Sequence, residues 1–136
     1  MVQITGKYQH VADENFVEYL KAYGTGDDLS KAEVFAKSKP VIEIKENDGE
    51  WIMDVNNEGK SSVTKFKLNE PFDEVFPHGL TLKSVVKKEG DNFIFESETE
   101  GGTKTIRAYQ FSDDGITVRM SGDKTPIVGI RKYKRI

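Results

Sequence analysis

The run "GIRKYKRI" near the end of the 136-residue chain carries Arg131 and Tyr133 two positions apart. Side chains of an extended strand alternate between its faces, so these two share a face with Ile127 and Gly129, while Lys132 and Lys134 take the other. A guanidinium is a planar fork of donors that matches both oxygens of a carboxylate, and a phenol two residues along the same face adds a further hydrogen bond. An arginine turned toward an interior is costly without a charge-matched partner. The sequence assigns it no obvious acidic one. A carboxylate from outside the polypeptide would serve. So would an Asp or Glu on a neighbouring strand, and a one-residue slip would turn both side chains to solvent.

A second pair has the same form. In "GGTKTIRAYQFSDDG", Arg107 and Tyr109 lie on one face together with Phe111. Little else in the chain suggests chemistry. His10 and His78 stand alone, with no second histidine or cysteine at ligand spacing, so no metal is expected. No carboxylate is set beside a histidine or nucleophile in the manner of a hydrolase, and no glycine-rich phosphate loop opens a helix. No enzymatic activity and no cofactor are expected.

Turn-rich clusters punctuate the second two-thirds of the chain: "ENDGE", "NNEGK", "LNEP", "FPHG", "KEGDN", "EGGT", "SDDG" and "SGDK". They recur about every ten residues, the spacing of short antiparallel strands in a barrel or sandwich. The runs between them alternate. Trp51, Met53 and Val55 share a face, as do Thr64, Phe66 and Leu68; Leu82, Ser84 and Val86; Phe93, Phe95 and Ser97; and Ile116, Val118 and Met120. Serine and threonine among the apolar residues suit the wall of a partly hydrated cavity better than a dry core.

One region has a different period. "DENFVEYLKAYG" sets Phe16, Val17, Leu20 and Tyr23 at helical spacing, with Asp13 as N-cap and Gly24 as stop. A second short helix with Leu29, Ala32, Phe35 and Ala36 on its apolar stripe follows, ended by Pro40. The order is thus a strand, two helices and about nine further strands. A helical pair placed there is suited to cover one end of a ten-stranded antiparallel barrel. A DNA-binding reading of the pair fails on charge: 20 basic residues against 23 acidic leave no phosphate-binding face. The absence of cysteine excludes disulfides and thiol chemistry. The N-terminal run lacks a secretion signal, so residues 1–136 are expected to form a single cytoplasmic domain, and a monomer. Lys21, Lys31, Lys37 and Lys39, on or near the helical lid, are solvated or in transient contact with anionic membranes.

The stretch "GKYQHVADENFVEYLKAYG" resembles the opening of the intracellular lipid-binding proteins, the fatty-acid-binding and cellular retinoid-binding group, in its Gly6, Tyr8, Asn15, Phe16 and Tyr19. "KPVIEI", "FKLNEPFDE" and "LKSVVKKEGDNF" are similar to the family's middle in order and spacing, and "RKY" to its Arg-x-Tyr; the ending "YKRI" is similar to arthropod members. The likeness spans essentially the whole chain. It implies a ten-stranded up-and-down β-barrel, a β-clam capped by a helix-turn-helix, holding a long-chain fatty acid or similar lipophilic carboxylate on Arg131 and Tyr133. On the eighth strand the pattern departs. Tyr109 stands where family members that bind fatty acids usually have another arginine, with Arg107 two residues earlier; a two-residue gap would superpose Arg107 instead. Phe16, Tyr19 and Leu20 on the helix, with Met53, Phe66 and Met120 on strands, are expected as cavity or portal contacts or as ordinary core. A retinoid is the alternative ligand.

Overall fold

The computed structural model describes residues 4–23, 39–57, 60–75, 81–98, 102–123 and 125–136. Its elements are β1 (Gly6–Glu14), α1 (Phe16–Tyr23), β2 (Val41–Asn47), β3 (Glu50–Asn57), β4 (Lys60–Lys67), β5 (Phe72–Val75), β6 (Thr81–Glu89), β7 (Asn92–Glu98), β8 (Lys104–Phe111), β9 (Gly115–Gly122) and β10 (Thr125–Arg135). The second helical stretch expected before Pro40 lies outside the described residues, as does the helix stop at Gly24.

The ten strands form one antiparallel sheet in the order β4-β3-β2-β1-β10-β9-β8-β7-β6-β5. Each strand pairs with its neighbour in sequence except β4 with β5. β1 pairs with β10, which brings the ends of the meander together, and β4 and β5 are the two edges of the sheet. The result is a barrel closed on all sides but one, which leaves few unpaired edges. Turn chemistry sets the register. Asn47 pairs with Glu50, and the two loop residues between them, Asp48 and Gly49, have φ of 49° and 85°. A tight hairpin whose turn follows the strand twist needs positive φ at both positions.

The alternation read from the sequence is the burial found. Trp51, Met53, Phe66, Leu82, Ser84, Val86, Phe93, Phe95, Ser97, Ile116, Val118 and Met120 are all buried. Phe93 is the centre of the apolar packing, with edge-on contacts to Trp51 at 4.9 Å, Phe111 at 5.3 Å and Phe66 at 5.9 Å between ring centroids. Such pairs add about 0.5–1.5 kcal/mol each beyond the area they bury.

The junction of β1 and α1 departs from expectation. Asp13 does not cap the helix. Strand β1 continues to Glu14, Asn15 turns the chain with φ of 54°, and the first helical bond runs from the Tyr19 amide to the Asn15 carbonyl at 3.0 Å. Asp13 is drawn into the β1–β10 ladder, where it lies opposite Arg131. Helix α1 then packs on β10 at Gly129, where a Cβ would come within 3.0 Å of the Tyr19 Cβ. The Tyr19 hydroxyl fixes the helix to the barrel by donating to the Ser121 carbonyl at 3.1 Å.

Candidate functional site

Strand β10 turns Arg131 and Tyr133 inward, each 8% exposed, while Lys132 and Lys134 are exposed on the outer wall. Across the sheet, Arg131 is in register with Val118, and Val118 with Tyr109. Gly129 is in register with Met120, and Met120 with Arg107. At roughly 4.8 Å per strand, the backbones bearing Arg131 and Tyr109 lie about 10 Å apart, a gap that long side chains can bridge. The four polar residues singled out on β8 and β10 therefore face one region.

Both arginines carry a carboxylate of the chain, which the sequence did not disclose. The Arg131 Nε donates to Asp13 Oδ1 at 2.8 Å, and its guanidinium stacks over the Phe16 ring at 4.2 Å. Arg107 forms an ion pair with Glu74, which is 5% exposed. Ser84 Oγ donates to the same Glu74 oxygen at 3.0 Å and lies 2.8 Å from Ser97 Oγ. The outcome at Arg131 thus combines two of the readings: the side chain faces inward, and an acid on a neighbouring strand meets it.

His10 completes the first cluster. It is 6% exposed, its Nε2 lies 2.7 Å from Asp13 Oδ1, and its ring meets Tyr133 edge-on at 5.5 Å. Its Nδ1 is buried with no hydrogen-bond partner among the described residues. The proton therefore belongs on Nε2, where it is donated to Asp13, because a proton on Nδ1 would be buried without an acceptor.

A bulge brings Asp13 to this place. On β1, His10 pairs with Tyr133 and Ala12 with Lys132, so two residues, Val11 and Ala12, are set against one. The extra residue reverses the alternation beyond it and re-aims Asp13 to the side of Tyr8 and His10. Simple alternation hides this. The Glu74 signal was more accessible, since Glu74 follows Phe72 by two residues and Phe72 packs against the core.

The electrostatics follow from burial. Burial opposes the Arg107 charge, but Glu74 beside it more than restores it and the pKa is raised. Tyr109 and Tyr133 are pushed up chiefly by burial, with partial opposition from Arg107 at Tyr109 and from Arg131 at Tyr133. Each phenol remains neutral in the folded chain at pH values where it ionises in the unfolded chain. Their contribution to stability is complete below the ordinary phenol value and is lost as pH rises toward the raised ones. Urea midpoints should therefore fall above about pH 10, and fall less in Tyr133→Phe. A full phenolate absorbance change near the ordinary value in folded protein would show these hydroxyls to be solvated.

Of the remaining expected contacts, Phe16 touches Arg131, Met120 is in register with Arg107 on one side and Gly129 on the other, and Tyr19 anchors the helix. Met53 and Phe66 are buried members of the apolar core, and the Leu20 side chain lies outside the described residues. So do Lys31, Lys37 and the side chain of Lys21, while Lys39 is exposed. A cleft of about 370 Å³ lies at β6, β7 and β8, lined among others by Ser84, Ser97 and Thr105 and by the exposed Lys83, Glu96 and Glu98. It reaches the Glu74 cluster through the two serines.

An antiparallel barrel with charged and phenolic groups turned inward belongs to the class of barrels that enclose a ligand. The model of the "Lipocalin / cytosolic fatty-acid binding protein family" matches residues 5–121, and the chain belongs to that family of lipid-binding carriers. Fatty acid-binding protein homolog 6 of Caenorhabditis elegans is 34% identical over 136 residues, covering 98% of this chain and 97% of that protein. Cellular retinoic acid-binding protein 2 of Rattus norvegicus is 34% identical over 140 residues, covering 99% of each. The fold is shared with the Schistosoma mansoni fatty acid binding protein solved in complex with arachidonic acid, at a TM-score of 0.87 and 20% identity, over 97% of this chain and 95% of that one.

Proposed function

We propose that this protein is a cytoplasmic carrier of long-chain fatty acids or closely related lipophilic carboxylates, without catalysis. The observation that carries the reading is Arg131: a buried guanidinium on the inner face of β10, with Tyr133 two residues along and Tyr109 two strands away on the same rung. The headgroup is held there by a charge-assisted hydrogen bond from Arg131 and by donation from the phenols. The acyl chain supplies most of the affinity. Burying about ten methylenes at about 0.8 kcal/mol each gives about 8 kcal/mol before ordering costs, in the micromolar range. The polar cluster orients the lipid and discriminates between headgroups.

Mass spectrometry of what co-purifies with the recombinant protein tests the reading directly. Fatty acids are expected in the extract, and delipidated protein should take them back one for one. An extract without lipids, together with no uptake of oleate, would remove the carrier function. A second reading has its own support, since a relative named for retinoic acid binding is as similar as one named for fatty acids. Retinoic acid displacing a fluorescent fatty-acid probe more effectively than oleate, with Trp51 emission as an independent monitor, would favour it.

A further inference from the structure

The two inward arginines are paired with acids that differ in exposure, the Glu74 side chain at 6% and the Asp13 side chain at 17%. Glu74 is tied to Arg107 and Ser84. Asp13 sits where β1 hands over to α1, and owes its position to a bulge. A single oxygen, Oδ1, serves both Arg131 at 2.8 Å and His10 at 2.7 Å. Besides these two, Asp13 is coupled to Tyr133 on β10; beyond Arg131, the interior presents Tyr109 and Arg107 of β8, backed by Glu74 of β5.

We propose that Asp13 is a built-in competitor for the ligand headgroup at Arg131, and that it extends the ligand class to lipids with an uncharged hydroxyl headgroup. This rests on the reading that a lipid headgroup reaches Arg131. A lipid carboxylate arriving there meets a second carboxylate already on the guanidinium, and like charges brought together in a desolvated site cost several kcal/mol. Binding then requires that Asp13 turn outward with His10, or that one carboxyl become neutral. A hydroxyl requires neither, because it accepts from Arg131 or Tyr133 and donates to Asp13 while the ion pair stays intact. Asp13 thus reduces the advantage a carboxylate would otherwise have over a neutral headgroup.

The test compares two probes with the same acyl chain, oleate and monoolein, by displacement of a fluorescent lipid. In the native protein their dissociation constants should lie within about tenfold of each other. In Asp13→Asn, which keeps an oxygen to accept from Arg131 and His10, oleate should tighten by roughly a hundredfold, the fold-change to which removal of a like-charge contact of that size converts, while monoolein changes by less than about threefold. Asp13→Ser makes the same charge change with a smaller side chain. A native preference for oleate above about a hundredfold overturns the proposal without any variant. So does oleate binding that is unchanged or weaker in folded Asp13→Asn and Asp13→Ser, which would make Asp13 a positioning residue for Arg131. Failure of the native protein to bind either probe would instead count against the carrier function itself.

Discussion

Glu74→Ala should lower the unfolding free energy by about 3 kcal/mol, because removing one partner of a buried ion pair leaves the other as an uncompensated charge. Arg107 has no easy escape: its side chain is 15% exposed, its guanidinium lies over Phe95 at 4.8 Å, and burial already works against its charge. The loss also removes the acceptor for Ser84 Oγ. For a chain of this length the melting temperature should drop by about 10 °C. Glu74→Gln should cost less, since its amide oxygen still accepts from both donors. The double variant Glu74→Met, Arg107→Met should recover much of the loss, as apolar replacement of a buried pair is often neutral or stabilising. Urea denaturation of the four proteins decides the matter. Wild-type stability in Glu74→Ala would mean that Arg107 reaches water, and that the cluster on β5–β8 is not sheltered.

How much of this was legible depends on the regularity of each element. The strands of the second half were plain because one face of each is buried, so the apolar set recurs at every second residue, as in Phe93, Phe95 and Ser97. The inward turn of Arg131 and Tyr133 followed from the same rule. What alternation could not deliver was the partner of Arg131. Asp13 lies beyond a bulge, and the inserted residue breaks the parity that assigns side chains to faces. The same stretch "ADEN" carries a plausible capping aspartate, yet pairing opposite Arg131 wins over capping, and Asn15 makes the turn instead. A local capping signal competes with a charge-assisted bond to a residue more than a hundred positions away, and only the fold reveals that bond. The role of His10 is hidden in the sequence for a related reason. A lone histidine is more often packed than used, and its closeness to Asp13 depends on the bulge as well.

Arg131→Leu should weaken oleate binding on the order of 10- to 100-fold, the loss of one charge-assisted hydrogen bond of about 1.5–3 kcal/mol. Binding should not vanish, since the acyl chain keeps its apolar contacts. Monoolein should lose far less. Tyr133→Phe removes a neutral donor and should cost oleate roughly two- to tenfold. Arg131→Leu also withdraws the counter-ion from Asp13, whose remaining hydrogen bond among the described residues is to His10. An anion then stays near the headgroup position with nothing drawing the ligand carboxylate toward it, so part of the measured loss belongs to Asp13 and not to Arg131. Combining Arg131→Leu with Asp13→Asn separates the two contributions, because residues in one ion-pair network couple non-additively. The double variant should bind oleate better than Arg131→Leu alone and about as well as it binds monoolein, since neither charge is left to distinguish the headgroups. Undiminished oleate binding in Arg131→Leu would place the carboxylate elsewhere, with Arg107 and Tyr109 of β8 as the remaining inward donors, and would leave the Asp13–Arg131 pair as a latch between β1 and β10.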